Sequence, residues 1–246
     1  MELITRYEKL VSSFIITISS LMVMFSASFF ATQKNTYQPM FLQNAEMPPC
    51  VTDINSLPIS MLTSTSYDGA EYRGSAFMVD PNIWVTAAHV VDGNVNEVSL
   101  YLHGNTIKGT IEFINDNGAD IAVIIADTID GYEPLIISEH DPMFYEEMWN
   151  IGYPGWAGQE QVVTSGHLID LIDDSLVATT ALVMGGMSGG PTVHCNGDQL
   201  QVDGVIRSYR KQLTSEEVVI IDGIHTIEKS YINTGEGYST SLHRVF

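Results

Sequence analysis

The feature that most constrains this chain is a long succession of short segments rich in β-branched and aromatic residues, each closed by a turn signal. From Ser56 onward these segments read SAFMV before Asp80-Pro81, then IWVTAA, EVSLYL before His103-Gly104-Asn105, TIKGTIEFI and IAVIIA. Side chains branched at Cβ fit a pleated surface, and Gly, Pro, Asn and Asp punctuate it, so this pattern predicts five or six strands. An acidic, less periodic stretch, EHDPMFYEE, begins at residue 139. A second set comes after it: MWNIGY, QVVTSGHLIDLI, SLVATTALV, PTVHC, QVDGVIRS and a late VVIIDGIHTI. After residue 31 there is neither a long 3.6-residue period nor a repeat of 20–50 residues, which disfavours α/β sheets, solenoids and propellers. The expected class is all-β, in two halves.

Ahead of the strands, residues 10–31 (LVSSFIITISSLMVMFSASFFA) carry no charge. As a helix they would cross the roughly 30 Å of a bilayer's hydrocarbon core. Arg6 and Lys9 precede this run and only Lys34 lies closely after it, which places the amino terminus inside and the remainder outside. Ser26-Ala27-Ser28 offers small residues of the kind a signal peptidase accepts, but the run exceeds the usual length of a signal-peptide core. Both readings stand, a signal anchor or a cleaved signal peptide over residues 1–31, with the balance towards the anchor. Both export the rest of the chain, to the periplasm or cell surface if anchored and to the medium if cleaved. Residues 32–55 contain Pro39, Pro48 and Pro49 and no sustained period, and read as a linker or prosegment. The expected divisions are then a first β half over 56–138, a connector over 139–146 and a second β half over 147–246.

Charge removes some partners. With 10 Lys and Arg against 30 Asp and Glu, the net charge of −20 repels phosphate, so nucleic acid is not expected as a partner. Two cysteines, Cys50 and Cys195, exclude a disulfide-dense scaffold and a four-cysteine zinc site. They leave one disulfide or two free buried thiols as alternatives. The histidines show neither H-x-x-x-H nor H-E-x-x-H spacing, so a metal hydrolase is disfavoured, and no metal or cofactor is expected.

Three segments carry chemistry, in a fixed order. In Thr86-Ala87-Ala88-His89-Val90, small residues lead an apolar strand into a histidine, a context suited to an imidazole held at a cleft edge as general base. In Ala119-Asp120-Ile121-Ala122-Val123, a carboxylate stands directly before an apolar strand, where it could accept a hydrogen bond from a histidine ring and stay ionised. In Gly185-Gly186-Met187-Ser188-Gly189-Gly190-Pro191, glycines surround a serine and allow backbone N–H groups to converge on one oxyanion. The order His, Asp, Ser resembles that of the chymotrypsin-like, trypsin-type serine peptidases, especially compact bacterial exported members such as the HtrA-like and glutamyl-endopeptidase groups. Gly74-Ser75-Ala76-Phe77 is similar to the family's strand ahead of the histidine, Gly152-Tyr153-Pro154 to the opening of its second barrel, and Gly237-Tyr238-Ser239 is a fainter echo.

The resemblance implies two six-stranded antiparallel barrels with the active site between them, and acyl transfer on protein or peptide substrates. Ser188 would be the nucleophile, His89 the base, Asp120 its orienting partner, and the N–H groups of Gly186 and Ser188 the oxyanion hole. It also points to a substrate pocket around Leu182, Val183, Arg207 and Ser208, where uncharged walls favour an apolar side chain and an inward Arg207 an acidic one. Met187 departs from the family, which has Asp or Asn there, so the oxyanion loop must be held by other means. The competing reading is an inactive or latent peptidase-like domain that binds peptides or a partner protein. The carboxy-terminal peptide-binding domain of HtrA-like proteins is not expected after residue 246. Oligomeric state is not legible.

Overall fold

The computed structural model describes residues 46–115, 118–172, 176–221 and 224–242. The apolar segment at 10–31 lies outside them. No helix among the described residues is long and apolar enough to cross a membrane.

The first half is a closed barrel of six strands. They are β1 (Ile59–Ser66), β2 (Glu71–Asp80), β3 (Ile83–Thr86), β4 (Asn94–Leu102), β5 (Asn105–Asn115) and β6 (Ile121–Ala126). Around the ring the order is β1-β2-β3-β6-β5-β4, and every pairing is antiparallel. The strand segments legible in sequence fall inside β2 to β6, with one difference. IWVTAA stops being a strand at Thr86, and its last alanine opens the four-residue helix α1 (Ala88–Val91) that carries His89. The small Ala87 and Ala88 are fully buried, which allows the chain to leave the sheet in so tight a corner. Strand β1 has no counterpart among those segments, because its run ISMLTSTS alternates little and ends in hydroxyl residues. Its Ser64 Oγ is satisfied by the Val90 carbonyl at 2.8 Å, so a polar side chain sits inside without an orphaned group.

The dipeptide strand β7 (Ile136–Ile137) leads to the second half, built from β8 (Glu147–Gly152), β9 (Val162–Ile172), β10 (Leu176–Thr179), β11 (Pro191–Asn196), β12 (Gln199–Ile221) and β13 (Ile224–Ser241). The order β11-β8-β9-β10-β13-β12 closes on itself through the β11–β12 pairing, giving a second antiparallel barrel of six strands, with β7 added in parallel to β12. VVIIDGIHTI is two strands rather than one: β12 and β13 pair along a long ribbon as far as Ile221 opposite Ile224.

One apolar cluster runs through both halves. It joins Phe77, Trp84, Leu100 and Ile124 of the first barrel to Trp149, Ile151, Val193 and Val205 of the second. Shared burial of that kind locks the two rings together, each fully buried side chain contributing about 1.5–3 kcal/mol. Cys50 and Cys195 form a disulfide, tying the segment before β1 to β11 across 145 residues.

Candidate functional site

His89 stands on α1 with its side chain 47% exposed, and its Nδ1 lies 2.8 Å from Asp120 Oδ2, whose side chain is 13% exposed. The backbone closes the same pair from two more sides. The His89 amide donates to Asp120 Oδ1 at 2.9 Å, and the Ala88 amide donates to the Asp120 carbonyl at 3.1 Å. Both carboxylate oxygens are therefore used, and a carboxylate so bonded orients the ring and favours the tautomer with its proton on Nδ1. This placement requires a left-handed backbone at Asp120, φ 53°, a region where aspartate is one of the few tolerated residues.

Ser188 lies on the turn between β10 and β11. Two contacts hold that turn against Ser75 of β2, and a third ties Ser75 to the segment after β8. The Ser75 amide donates to the Ser188 carbonyl at 2.8 Å, and the Ser75 hydroxyl donates to the Gly186 carbonyl at 2.9 Å while accepting from the Tyr153 amide at 2.9 Å. Gly189, with φ 85°, packs so closely on β2 and β3 that a Cβ there would stand 2.1 Å from the Ser75 carbonyl oxygen and 2.2 Å from Thr86 Oγ1. Only glycine fits this approach, which sets the serine turn beside the Ala87–Ala88 corner. In the sequence, Ser75 is merely part of a strand similar to the family's. Its bonding to partners 78 and 111 residues away leaves no trace in local pattern.

The turn needs no acidic residue at position 187. Met187 is fully buried against Val183 and Ile206, and four backbone bonds complete the anchorage: Met187 to Met184, Gly190 to Met187, Gly189 to Ile206 and Gly155 to Gly185, at 2.8–3.0 Å. Gly186 has φ 98°, a conformation in which a side chain would be strained.

The residues expected to line a substrate pocket divide. Val183 is 1% exposed and belongs to the Met187 cluster, while Leu182 is partly buried, with its carbonyl accepting from Thr164 Oγ1 at 2.7 Å. Gly237 of β13 lies against this wall, where a Cβ would meet Val183 Cγ2 at 2.6 Å. Ser208 is exposed. Arg207 reaches instead to the first barrel: its Nη1 donates to the Gly118 carbonyl at 2.9 Å, and its Nε lies 3.6 Å from Asp120 Oδ2.

A second His–Asp pair lies within the second barrel. His194 Nδ1 is 2.7 Å from Asp203 Oδ2, with side-chain exposures of 9% and 0%. The hydrogen bond to Asp203 pushes the His194 imidazole above its usual range, against the opposing effect of burial. Among the described residues, no group of three or more His, Cys, Asp or Glu side chains is arranged to hold a metal ion.

The chain has relatives in both sequence and fold. The family model described as a trypsin-like peptidase domain matches residues 74–200. Over 186 residues the chain is 27% identical to the probable periplasmic serine endoprotease DegP-like of Rickettsia conorii. That match takes in 68% of this chain and 36% of the relative, so the chain spans about a third of that protein's length. Among solved structures it is similar to the active form of the Rv3671c protease from M. tuberculosis, with TM-score 0.62, 21% identity, and coverage of 82% of this chain and 85% of that one. It is also similar to the serine endoprotease from Yersinia pestis, with TM-score 0.55, 20% identity, and coverage of 63% and 55%.

Proposed function

Because the chain belongs to the trypsin-like peptidase domain family, we propose that it is a serine endopeptidase using His89, Asp120 and Ser188. Ser188 Oγ attacks a peptide carbonyl, His89 takes the hydroxyl proton and returns it to the leaving amine, and Asp120 holds the ring and stabilises the imidazolium. Water then repeats the sequence on the acyl-enzyme. The amides of Gly186 and Ser188 receive the developing oxyanion, where losing one donor costs on the order of 3 kcal/mol in the transition state. The observation that carries this reading is the 2.8 Å bond from His89 Nδ1 to Asp120, on a corner against which the Ser188 turn is packed. With Arg207 engaged by Gly118 and Asp120, the pocket wall around Leu182 is uncharged, which favours an apolar side chain in the substrate.

On this reading the domain works outside the cytoplasm, attached through residues 10–31 if these are not cleaved, with the barrels as the two domains of the peptidase. The Cys50–Cys195 disulfide supports an oxidising compartment, and the R. conorii relative is described as periplasmic.

A fluorophosphonate probe tests the activity directly. The full chain in mild detergent is labelled beside Ser188→Ala and His89→Ala. Labelling of the wild type, abolished in both variants, is expected. A folded wild type that does not label would replace the enzyme reading with a peptide-binding one.

A further inference from the structure

We infer that Arg207 is a positioning residue: from the second barrel its guanidinium clamps the Gly118–Ala119–Asp120 turn of the first, and so holds the Asp120 carboxylate on His89. The inference rests on the serine-hydrolase reading. The turn has positive φ at both ends, 103° at Gly118, which glycine adopts without cost, and 53° at Asp120, where a residue with a side chain persists only if its surroundings over-determine it. The restraints come from both sides of the cleft. All three consecutive carbonyls are occupied: Gly118 by Arg207 Nη1 at 2.9 Å, Ala119 by Thr240 Oγ1 at 2.5 Å, and Asp120 by the Ala88 amide at 3.1 Å. Two of these three donors belong to the second barrel, on β12 and β13.

Arg207 does more than bond a carbonyl. Its Nε faces Asp120 Oδ2 at 3.6 Å, the same oxygen that meets His89 Nδ1. A planar guanidinium can engage a carbonyl and a carboxylate together through its fixed fork, whereas an ammonium is a single point that reaches one or the other well. The pairing holds the carboxylate in register with the ring. It also means that the orienting half of the site is complete only when the second barrel is docked on the first.

Arg207→Met and Arg207→Lys in the full chain test this. The readouts are the rate of fluorophosphonate labelling and the deshielded Nδ1 proton of His89 in the ¹H NMR spectrum, identified by its loss in His89→Ala. Arg207→Met is expected to slow labelling about five- to tenfold, the scale of one ordinary hydrogen bond, and to shift or broaden the Nδ1 resonance. Arg207→Lys is expected to recover part of both, and the circular dichroism spectrum is expected to stay that of the wild type. Wild-type labelling with an unmoved resonance in Arg207→Met overturns the clamp. So does unchanged labelling with selective loss of cleavage at acidic residues, which would make Arg207 a substrate contact. If the wild type itself fails to label, the hydrolase reading falls, and the resonance comparison between wild type and Arg207→Met still decides whether the clamp exists.

Discussion

The two His–Asp pairs use the same atoms at nearly the same distance, 2.8 Å for His89–Asp120 and 2.7 Å for His194–Asp203, yet their surroundings differ. At the first, about half of the imidazole is open to solvent, and the carboxylate is fixed by the backbone of α1 and faced by Arg207. At the second, ring and carboxylate are both packed between β11 and β12. A hydrogen-bonded dyad is therefore no signature of catalysis by itself. On the proposed function, what gives the first pair a task is an exposed ring, a tight corner and a serine turn held beside it. The second pair is buried and has no such turn beside it, and a structural role is expected for it.

The comparison can be broken at either end. The largest effect is expected from Asp120→Asn, which keeps the shape but offers His89 the wrong partner. By analogy with the same change in the chymotrypsin-type triad, kcat should fall about 10⁴-fold. The melting temperature should change little, which kinetics and calorimetry on one preparation would check. Asp203→Ala should do the reverse. Removing one partner of a buried pair costs about 3–5 kcal/mol, so chemical denaturation should show a large loss of stability. The folded fraction should label with fluorophosphonate at the wild-type rate. A labelling defect in fully folded Asp203→Ala would erase the distinction between the pairs.

The smallest effect sharpens the contrast through pH. His194 is raised in the folded state by its bond to Asp203, so the folded chain binds its proton more tightly than the unfolded chain, where the imidazole titrates at about pH 6.5. Its stabilising contribution is complete below that value and is lost as pH rises through the higher folded one. The expected result is a downward slope of stability with pH from about 6.5 upward that His194→Gln flattens, measured by urea denaturation at several pH values. An unchanged slope would show that the pair carries no net ionisation linkage.

The legibility of this protein follows the range of each interaction. Strand periodicity and turn residues act over a few positions, so β2 to β6 can be placed from their own residues, and IAVIIA coincides with β6. Strand β1 escapes such a reading because its serines and threonines hide the apolar face. The β12–β13 ribbon breaks into shorter pieces because nothing local states which strand pairs with which. At the site, the His, Asp and Ser segments stand out through their small flanking residues, whereas Ser75 does not, since its value lies in the Gly186 carbonyl 111 residues away.

By itself, then, the amino-acid order determined an all-β chain and singled out His89, Asp120 and Ser188 as the candidate chemical groups. Tertiary structure alone decided that Cys50 meets Cys195, that Met187 replaces a charged anchor by burial, and that Arg207 turns towards Asp120. Each of these depends on bringing together residues far apart in the chain. No short window of sequence records such an encounter, because it is set by how two closed barrels pack.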